Sequence, residues 1–487
     1  MTNQETQKVG WHFDHSYIKL PKDFFVEQLP VKNQKPKLIL LNEALLKALG
    51  LDKEALSHEA WGSIFSGNTI PENAYPIAQA YAGHQFGHFT LLGDGRAVLL
   101  GEQINPDGKR FDIQFKGSGQ TPYSRRGDGR AALGPMLREY IISEAMHALN
   151  IPTTRSLAVV VTGESIMRDE LLPGAVLTRV AKSHIRVGTF QFASTLNDIQ
   201  KLKVLADYAI DRHYPECKEK DNPYLAFLNA VIEMQASLVS QWMHVGFIHG
   251  VMNTDNMAIS GETIDYGPCA FMDRYHPETV FSSIDRQGRY AYANQAPIAQ
   301  WNLARFAETL LPLIDQDTDK SIELASQSVN SFSDLFQASW LKGMRQKIGL
   351  FDEEASDIDL INELLILMQK NKADYTLTFR HLSSDAILKD TIFEDASFKA
   401  WYKKWIHRIQ KQKDGEETSK LMMLKRNPAI IPRNHLVEKA LTFAVMEQDY
   451  KLLNDLLAAI QKPYEDSKVF SQPPLEEDKS YQTFCGT

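Results

Sequence analysis

The stretch HGVMNTDNMAISGETIDYGP, residues 249–268, is the part of the sequence from which the fold can be inferred. It opens on a histidine, reaches Asn256, and then continues as MAISGETIDYG, a pattern typical of a strand, a turn and a second strand. In that arrangement the side chains of Asn256 and Asp265 would converge at the base of the hairpin. Their oxygen atoms are ligands of the kind that Mg²⁺ takes, with water and phosphate completing its shell. The stretch therefore predicts a site for a metal ion and a phosphate.

One position of this loop departs from the pattern of a phosphotransferase. Such loops carry an aspartate two residues after the histidine, which accepts the proton of the attacking hydroxyl, and Val251 stands there instead. Asp255, beside Asn256, is the only carboxylate within the loop that could take over this task. The alternative is that Asp255 caps a turn or adds charge near the metal. Three activities stay open: a kinase, a nucleotide-binding protein without catalysis, and a different transfer reaction.

The pattern of apolar residues and glycines on the two sides of this loop predicts two lobes. Between residues 76 and 190, short apolar runs separated by glycine are typical of strands, and one helical stretch, residues 133–149, interrupts them. Residues 224–246 form a long apolar-striped helix that ends at Gly246, a natural C-cap. Amphipathic helices then follow at residues 339–350, 359–370 and 435–461. We predict an α+β, protein-kinase-like bilobal fold with a β-rich small lobe, a larger helical lobe and an interlobe cleft.

This layout divides the chain into four segments. Residues 1–75 are expected to form an N-terminal extension, irregular apart from one helix in NEALLKALGL. The small lobe is expected over residues 76–190 and the helical large lobe over residues 191–462. A C-terminal tail over residues 463–487, rich in proline and charge, is expected to be loosely held.

The small lobe should supply cations for the phosphates. Lys116 ends the apolar run FDIQFK, and Glu139 or Glu144 of the following helix would form its ion pair; periodicity does not choose between the two. The stretch KGSGQTPYSRRGDGRAALG is rich in glycine and arginine, as an anion-binding loop is, although a mobile surface loop would also explain the glycines. The cations expected around a triphosphate are Lys116, Arg125, Arg126, Arg130, Arg179 and Arg186. LLGDGRAVLLGE is typical of a hairpin over a nucleotide.

Composition limits the partners. The chain has 487 residues and a net charge of −8, which argues against general binding to nucleic acid or anionic membranes. It has neither a signal-peptide pattern nor an apolar run of transmembrane length, and three cysteines are too few for a disulfide framework. We expect a cytoplasmic protein that binds no membrane. His84 and His88 have the spacing of a zinc pair on a helix, but the neighbouring glycines favour structural packing.

Long, ordered motifs resemble the selenoprotein O family and its bacterial YdiU branch. They are YAGHQFGHF, GDGRAVLLGE, FKGSGQTPYSRRGDGRA, LREYIISEAMHALNIPTTRSLAVV, HGVMNTDNM, TIDYGP and KRNPAIIPRNHLVEKAL, and they span nearly the whole chain. The resemblance implies a kinase-like fold that binds ATP in a flipped orientation with Mg²⁺. It implies transfer of AMP to Ser, Thr or Tyr hydroxyls of proteins, or, in some bacterial members, of UMP from UTP with Mn²⁺.

The resemblance also implies roles for individual residues. Asp255 would accept the proton, Asn256 and Asp265 would bind the metal, and Glu139 would be the partner of Lys116. The nucleotide contacts would come from Gly93, Gly95, Arg96, Lys116, Asp128, Gly129, Arg179, Arg186 and Asp265. Some members pair a C-terminal cysteine with one near the metal-binding aspartate, which here would join Cys485 to Cys269.

Overall fold

A computed structural model of the protein describes residues 9–384, 391–413, 415–475 and 481–483. The fold is α+β, with a β-rich lobe followed by a helical lobe, as predicted. The strands are β1 (Phe13–Asp14), β2 (Phe25–Glu27), β3 (Lys37–Leu41), β4 (Ile77–Gln79), β5 (Ala82–Gln85), β6 (His88–Leu91), β7 (Ala97–Ile104), β8 (Arg110–Lys116), β9 (Ala131–Ala132), β10 (Arg155–Met167), β11 (Leu171–Ala181), β12 (Phe247–Ile248) and β13 (Ala270–Phe271).

A large antiparallel sheet forms the first lobe. Within the described residues it has nine strands, in the order β2-β4-β7-β8-β11-β10-β3, with β1 added beside β7 and β9 beside β11. Most residues of strands β7, β8 and β11 at its centre are buried, including the polar Asp112 and Gln114 of β8. The pairs β5–β6 and β12–β13 form two further small sheets.

The first 75 residues are more regular than expected. Besides the helix in NEALLKALGL they contain a second helix and the strands β1, β2 and β3, all of which join the large sheet. In β3 the side chains of Leu38 and Leu40 are buried while their neighbours are more exposed, so the strand has one face in the core. Such short strands are held by partners far along the chain, and the local pattern therefore did not reveal them.

The helices are α1 (Glu43–Ala48), α2 (His58–Phe65), α3 (Leu133–Ala148), α4 (Val187–Thr195), α5 (Ile199–His213), α6 (Pro223–His244), α7 (Gln295–Ile314), α8 (Thr318–Lys347), α9 (Asp357–Lys370), α10 (Tyr375–Leu382), α11 (Thr391–Glu394), α12 (Ala396–Gln410), α13 (Gly415–Arg426), α14 (Asn434–Thr442) and α15 (Lys451–Ile460). Helix α3 packs on the sheet, with Leu137, Ile141 and Ala145 in the core that joins the two lobes. Helices α6, α7 and α8 pack on one another and form the centre of the helical lobe. None of the described helices combines the length and the apolar content that a membrane crossing requires.

The helix predictions were confirmed at α3 and α6, and two others need correction. Gly246, with φ +71°, follows α6 in the left-handed conformation expected of a C-cap glycine. Residues 339–350 are not a separate helix, because most of them continue α8. The single helix expected over residues 435–461 is instead α14, a π-helical turn at Phe443–Glu447, and α15. Gln448, with φ +55°, interrupts the predicted helix. The Asp449 side chain then accepts a hydrogen bond from the N–H of Lys451 at the start of α15.

The C-terminal tail is held more firmly than expected at Tyr481–Thr483. The Thr483 N–H donates to the carbonyl of Phe281 at 2.7 Å, and its hydroxyl donates to the carbonyl of Pro268 at 2.8 Å. The Tyr481 hydroxyl donates to Glu438 of α14 at 2.6 Å. These bonds attach the segment to the chain that follows Asp265 and to α14. Cys485 lies outside the described residues, so the predicted pairing with Cys269, which is buried, stays a prediction.

Candidate active site

A cleft of about 380 Å³ lies between the sheet and the helical lobe and brings the predicted site residues together. Its lining includes Gly93, Gly95, Arg96, Lys116, Asp128, Gly129, Arg179, Arg186, Asp255, Asn256 and Asp265. These residues come from the loop after β6, the end of β8, the glycine-rich loop before β9, strand β11, the N-terminus of α4 and the loops after β12. Their convergence is a property of the tertiary fold, since they span more than 170 positions of the sequence.

Buried hydrogen bonds hold the loop between β12 and Asp265. The His249 ring is fully buried, and its Nε2 atom donates to the carbonyl of Ile264 at 2.9 Å. The Asn256 side-chain nitrogen donates to the carbonyl of Val251 at 3.0 Å. Because the amide nitrogen of Asn256 is used in this way, its side-chain oxygen remains available as a ligand.

The hairpin predicted for MAISGETIDYG does not form. Its first arm bridges to the start of α4, where the Val187 N–H donates to Met257 and Ala258 bridges Arg186. Its second arm runs beside the start of β10, where Thr263 bridges Thr153. The two arms therefore pair with other segments rather than with each other, although Gly261, with φ +73°, makes the expected turn between them.

Asp265 is the centre of a cluster of charges. Its carboxylate accepts hydrogen bonds from Lys116 Nζ at 3.0 Å, from Arg186 at 3.1 Å and from Arg179. Burial acts to raise the pKa of Asp265, but the charges of Arg179, Lys116 and Arg186 hold it well below its usual range. The backbone of Asp265 is left-handed, with φ +62°, a conformation uncommon for a residue other than glycine. The three neighbouring cations thus favour the ionised form of this carboxylate.

The structure decides between the two candidate partners of Lys116. Lys116 Nζ lies 2.7 Å from a carboxylate oxygen of Glu139, and Arg179 Nε lies 2.5 Å from the other. Glu144, one turn further along α3, instead binds Arg155 through two hydrogen bonds. The choice of Glu139 is confirmed. Glu139 and Asp265 together bridge two buried cations.

Asp255 has surroundings quite different from those of Asp265. Its side chain is 6% exposed, and its Oδ1 atom is buried with no hydrogen-bond partner among the described residues. Burial raises the pKa of the carboxyl to about 6, against the opposing charge of Arg186. Gly83 of β5 allows this position, because a Cβ there would lie 2.9 Å from the Asp255 Cβ atom. A carboxyl that titrates near neutrality suits proton transfer better than permanent charge pairing.

The cations around the cleft are mostly those expected. Lys116, Arg125, Arg130, Arg179 and Arg186 line it, whereas Arg126 is exposed and is not part of the lining. The direction of a side chain in a loop depends on its local contacts. The glycine and arginine content of the loop does not predict that direction. Arg168, which was not predicted, also lines the cleft and pairs with Asp128 at 2.8 Å.

A second buried carboxyl in the cleft escaped sequence reasoning. Asp94, between Gly93 and Gly95, is 2% exposed and accepts hydrogen bonds from the Gln79 N–H at 3.1 Å and from the Gln114 side chain at 3.2 Å. Burial raises its pKa to about 6. The only sequence signal was the acid between two glycines. Both glycines allow Tyr123 to approach closely: a Cβ at Gly93 would lie 2.8 Å from the Cδ2 atom of its ring, and a Cβ at Gly95 would lie 2.9 Å from its backbone oxygen.

His84 and His88 lie on strands, not on a helix. They belong to β5 and β6, and His84 packs against the rings of Phe89 and Trp301, each with its centroid at 5.3 Å. The His84 Nδ1 atom accepts a hydrogen bond from the Gln191 side chain at 2.7 Å. The expected packing role is confirmed for His84, while His88 is exposed.

The oxygen atoms in the cleft fit a magnesium ion that also binds phosphate. The described residues contain no group of three or more His, Cys, Asp or Glu side chains arranged to bind a metal. Asn256 and Asp265 would offer such an ion one neutral and one ionised oxygen beside a cluster of cations. Mg²⁺ usually takes only one or two protein carboxylates and completes its shell with water and substrate phosphate. The two residues therefore suit a metal that arrives with a nucleotide.

Comparison with known proteins agrees with this site. Residues 8–461 match the family model described as protein adenylyltransferase SelO. The chain is 58% identical over 484 residues to the protein nucleotidyltransferase YdiU of Bacillus cytotoxicus, covering 99% of each chain. It is 56% identical over 487 residues to the protein of that name from Alkaliphilus metalliredigens, again covering 99% of each. The chain belongs to the SelO family.

Proposed function

We propose that the protein transfers AMP from ATP to the hydroxyl groups of Ser, Thr and Tyr side chains of proteins. The observation that carries the proposal is the contrast between two aspartates in one cleft. Asp265 is held by three cations, whereas Asp255 is buried, has a raised pKa and has one oxygen without a hydrogen-bond partner among the described residues. One suits metal and phosphate binding and the other suits proton acceptance. The family description and the names of the relatives favour nucleotide transfer over phosphate transfer.

In the proposed reaction, the acceptor hydroxyl attacks the α-phosphorus of ATP. Asp255 takes the hydroxyl proton, a bond forms between the hydroxyl oxygen and the α-phosphorus, and the bond to the bridging oxygen breaks to release pyrophosphate. Lys116, Arg179 and Arg186 stabilise the charge that develops on the departing pyrophosphate. Asn256 and Asp265 would hold Mg²⁺ or Mn²⁺, which supplies further charge neutralisation at the phosphates.

The cation cluster also supports a flipped orientation of ATP. Arg179 is 2% exposed, Arg186 3% and Lys116 6%, so these charges lie deep in the cleft. A kinase transfers the terminal phosphate and releases ADP, whereas AMP transfer releases the β- and γ-phosphates together as pyrophosphate. Pyrophosphate carries all of its charge in a small leaving group, which matches a set of buried cations.

Parallel reactions with two labelled nucleotides test the proposal. With an acceptor protein present, we expect label from α-³²P-ATP on protein and none from γ-³²P-ATP. The acceptor should gain the mass of AMP in an intact-mass spectrum. Transfer of the γ label alone would show a kinase, and transfer of neither label would show a non-catalytic nucleotide binder. If the enzyme prefers UTP and the acceptor gains the mass of UMP, the donor is UTP instead of ATP. The roles proposed for the site residues would stay the same.

The pKa of Asp255 predicts the pH dependence of the reaction. A base must be deprotonated to act, and kcat/KM reports the free enzyme, so kcat/KM should rise with pH through about 6 and level off above about 7. At pH 5 it should be roughly a tenth of its plateau value, since one unit below the pKa about one carboxyl in eleven is ionised. Initial rates between pH 5 and 8 measure this.

Asp94 is the matched control for the pH profile, since its pKa is also raised to about 6 and it lines the same cleft. Asp94→Asn should keep the inflection. If the inflection disappears in Asp94→Asn, the titrating group is Asp94 and the assignment of the base to Asp255 is wrong.

A further inference from the structure

The hairpin of β5 and β6 forms one wall of the site beside Asp255. Phe86 and Gly87 make its turn with φ of +51° and +87°, as a two-residue type I′ turn requires. The register pairs Gln85 with His88 and Ala82 with Leu91. Its two outer edges face different surroundings.

The outer edge of β5 is closed by the loop that carries Asp255. The His84 N–H donates to the Thr254 hydroxyl at 2.7 Å, and the Phe86 N–H donates to the Asn253 side chain at 3.0 Å. Asn253 in turn accepts a hydrogen bond from the Tyr290 hydroxyl at 2.6 Å. The hairpin is therefore fixed to the loop that positions Asp255.

The outer edge of β6 is open. Since Gln85 and His88 flank a two-residue turn, they form a hydrogen-bonded pair, and Phe89 and Leu91 therefore direct their N–H and C=O groups away from β5. Within the described part of the chain, no other strand pairs with β6. The side chains of Phe89 and Leu91 are 47% and 58% exposed. Proteins usually protect such an edge by charge, proline or a covering element, and the described residues provide none of these at β6.

This open edge leads directly to the cleft. The chain passes from β6 through Leu92 to Gly93 and Asp94, all of which line the cleft. On the paired strand, Gly83 packs against the Asp255 side chain. A polypeptide segment that paired with β6 would thus be delivered to the mouth of the site. An extended backbone is the partner that matches alternating N–H and C=O groups along a strand.

Positive charge lies at the turn of the hairpin. An Arg289 nitrogen lies 4.0 Å from the place that a Cβ of Gly87 would occupy. The guanidinium groups of Arg289 and Arg305 both lie over the ring of Trp301, at 4.9 and 5.3 Å. Arg305 pairs with Glu308 at 2.6 Å, whereas none of the ion pairs among the described residues involves Arg289. This end of the edge favours an acidic partner.

We propose that the acceptor protein presents its hydroxyl on an extended, acidic segment that adds as a strand to the outer edge of β6. The proposal rests on the proposed function, because it names the class of substrate that the same site takes. The main-chain hydrogen bonds to Phe89 and Leu91 supply sequence-tolerant affinity, and Arg289 supplies the preference for acidic residues.

The test uses the full-length enzyme and two synthetic acceptors, poly(Glu,Tyr) and poly(Lys,Tyr), with α- and γ-labelled ATP in parallel. Leu91→Pro removes one outward N–H at a position where an edge strand tolerates proline, and Leu91→Ala is the matched control that keeps the N–H. Leu91→Pro should raise the KM for poly(Glu,Tyr) about tenfold relative to Leu91→Ala, with the Kd for ATP unchanged. Arg289→Glu should lower the preference for poly(Glu,Tyr) over poly(Lys,Tyr) about five- to tenfold.

Thermal unfolding of each variant shows whether the hairpin change affects folding, and Arg289→Glu tests the surface without altering the backbone. Equal KM values for Leu91→Pro and Leu91→Ala, or an unchanged preference in Arg289→Glu, would overturn the proposal. So would a wild-type preference for poly(Lys,Tyr). The two labels separate this proposal from the proposed function. If the expected KM changes occur while only the γ label moves, acceptor docking on β6 is supported and AMP transfer is not.

Discussion

Asp255→Asn is expected to lower kcat for AMP transfer by about 10²- to 10⁴-fold, the usual contribution of a positioned general base. The amide has the shape of the carboxyl and cannot accept the hydroxyl proton. Because Asp255 forms no ion pair with Lys116, Arg179 or Arg186, the phosphate-binding cations keep their partners in the variant. The Kd for ATP with Mg²⁺ should therefore stay close to the wild-type value. Single-turnover rates with α-³²P-ATP and calorimetric titration measure the two quantities.

Two outcomes would contradict this prediction. A variant that transfers AMP at the wild-type rate would show that another group is the base. A variant that loses ATP affinity along with transfer would show that Asp255 acts in binding. Asp94→Asn, which also removes a buried carboxyl from the cleft, should retain transfer measurable in the same assay.

Asp265→Asn is expected to abolish the dependence of ATP affinity on Mg²⁺ and to lower transfer by at least about 10²-fold. In the wild type the Asp265 carboxylate neutralises part of the charge of Lys116, Arg179 and Arg186. Removing that negative charge frees the cations for phosphate, so without metal the variant should bind ATP more tightly than the wild type. With metal the order should reverse, because the variant lacks the ionised ligand.

Titrations of both proteins with ATP, in Mg²⁺ and in EDTA, check whether the order of their ATP affinities reverses. Asp255→Asn is the comparison variant, since it should keep the wild-type response to Mg²⁺. If Asp265→Asn kept that response as well, Asp265 would not bind the metal, and the site would have to be assigned to other oxygen atoms. Thermal unfolding should accompany the titrations, because unpaired buried cations destabilise a fold.

The sequence was most informative where the signal is local. The apolar spacing of residues 224–246 predicts a helix, and Gly246 predicts where it ends. Both signals are local, because they depend on residues within one or two helical turns. The order of His249, Asp255, Asn256 and Asp265 predicted a site for a metal ion and a phosphate and left the reaction open. The site residues expected by resemblance also line one cleft. Their individual roles remain to be tested by the substitutions above.

Contacts between distant segments were determined only by the tertiary structure. Glu139 and Glu144 lie on the same helix with similar local surroundings, and the packing of α3 on the sheet decides that Glu139 meets Lys116. The two arms of MAISGETIDYG pair with the starts of α4 and β10 and not with each other.

Burial likewise separates the two aspartates that the sequence shows only as acids. Asp265 is enclosed with three cations, which keep it ionised, while Asp255 is enclosed by glycines of β5 and α4 and titrates near neutrality. The sequence by itself therefore predicted most of the charged groups that line the cleft, but not Asp94 or Arg168. Only the tertiary structure decided the charge state of each, because a pKa depends on the solvent and charges that folding brings around the group.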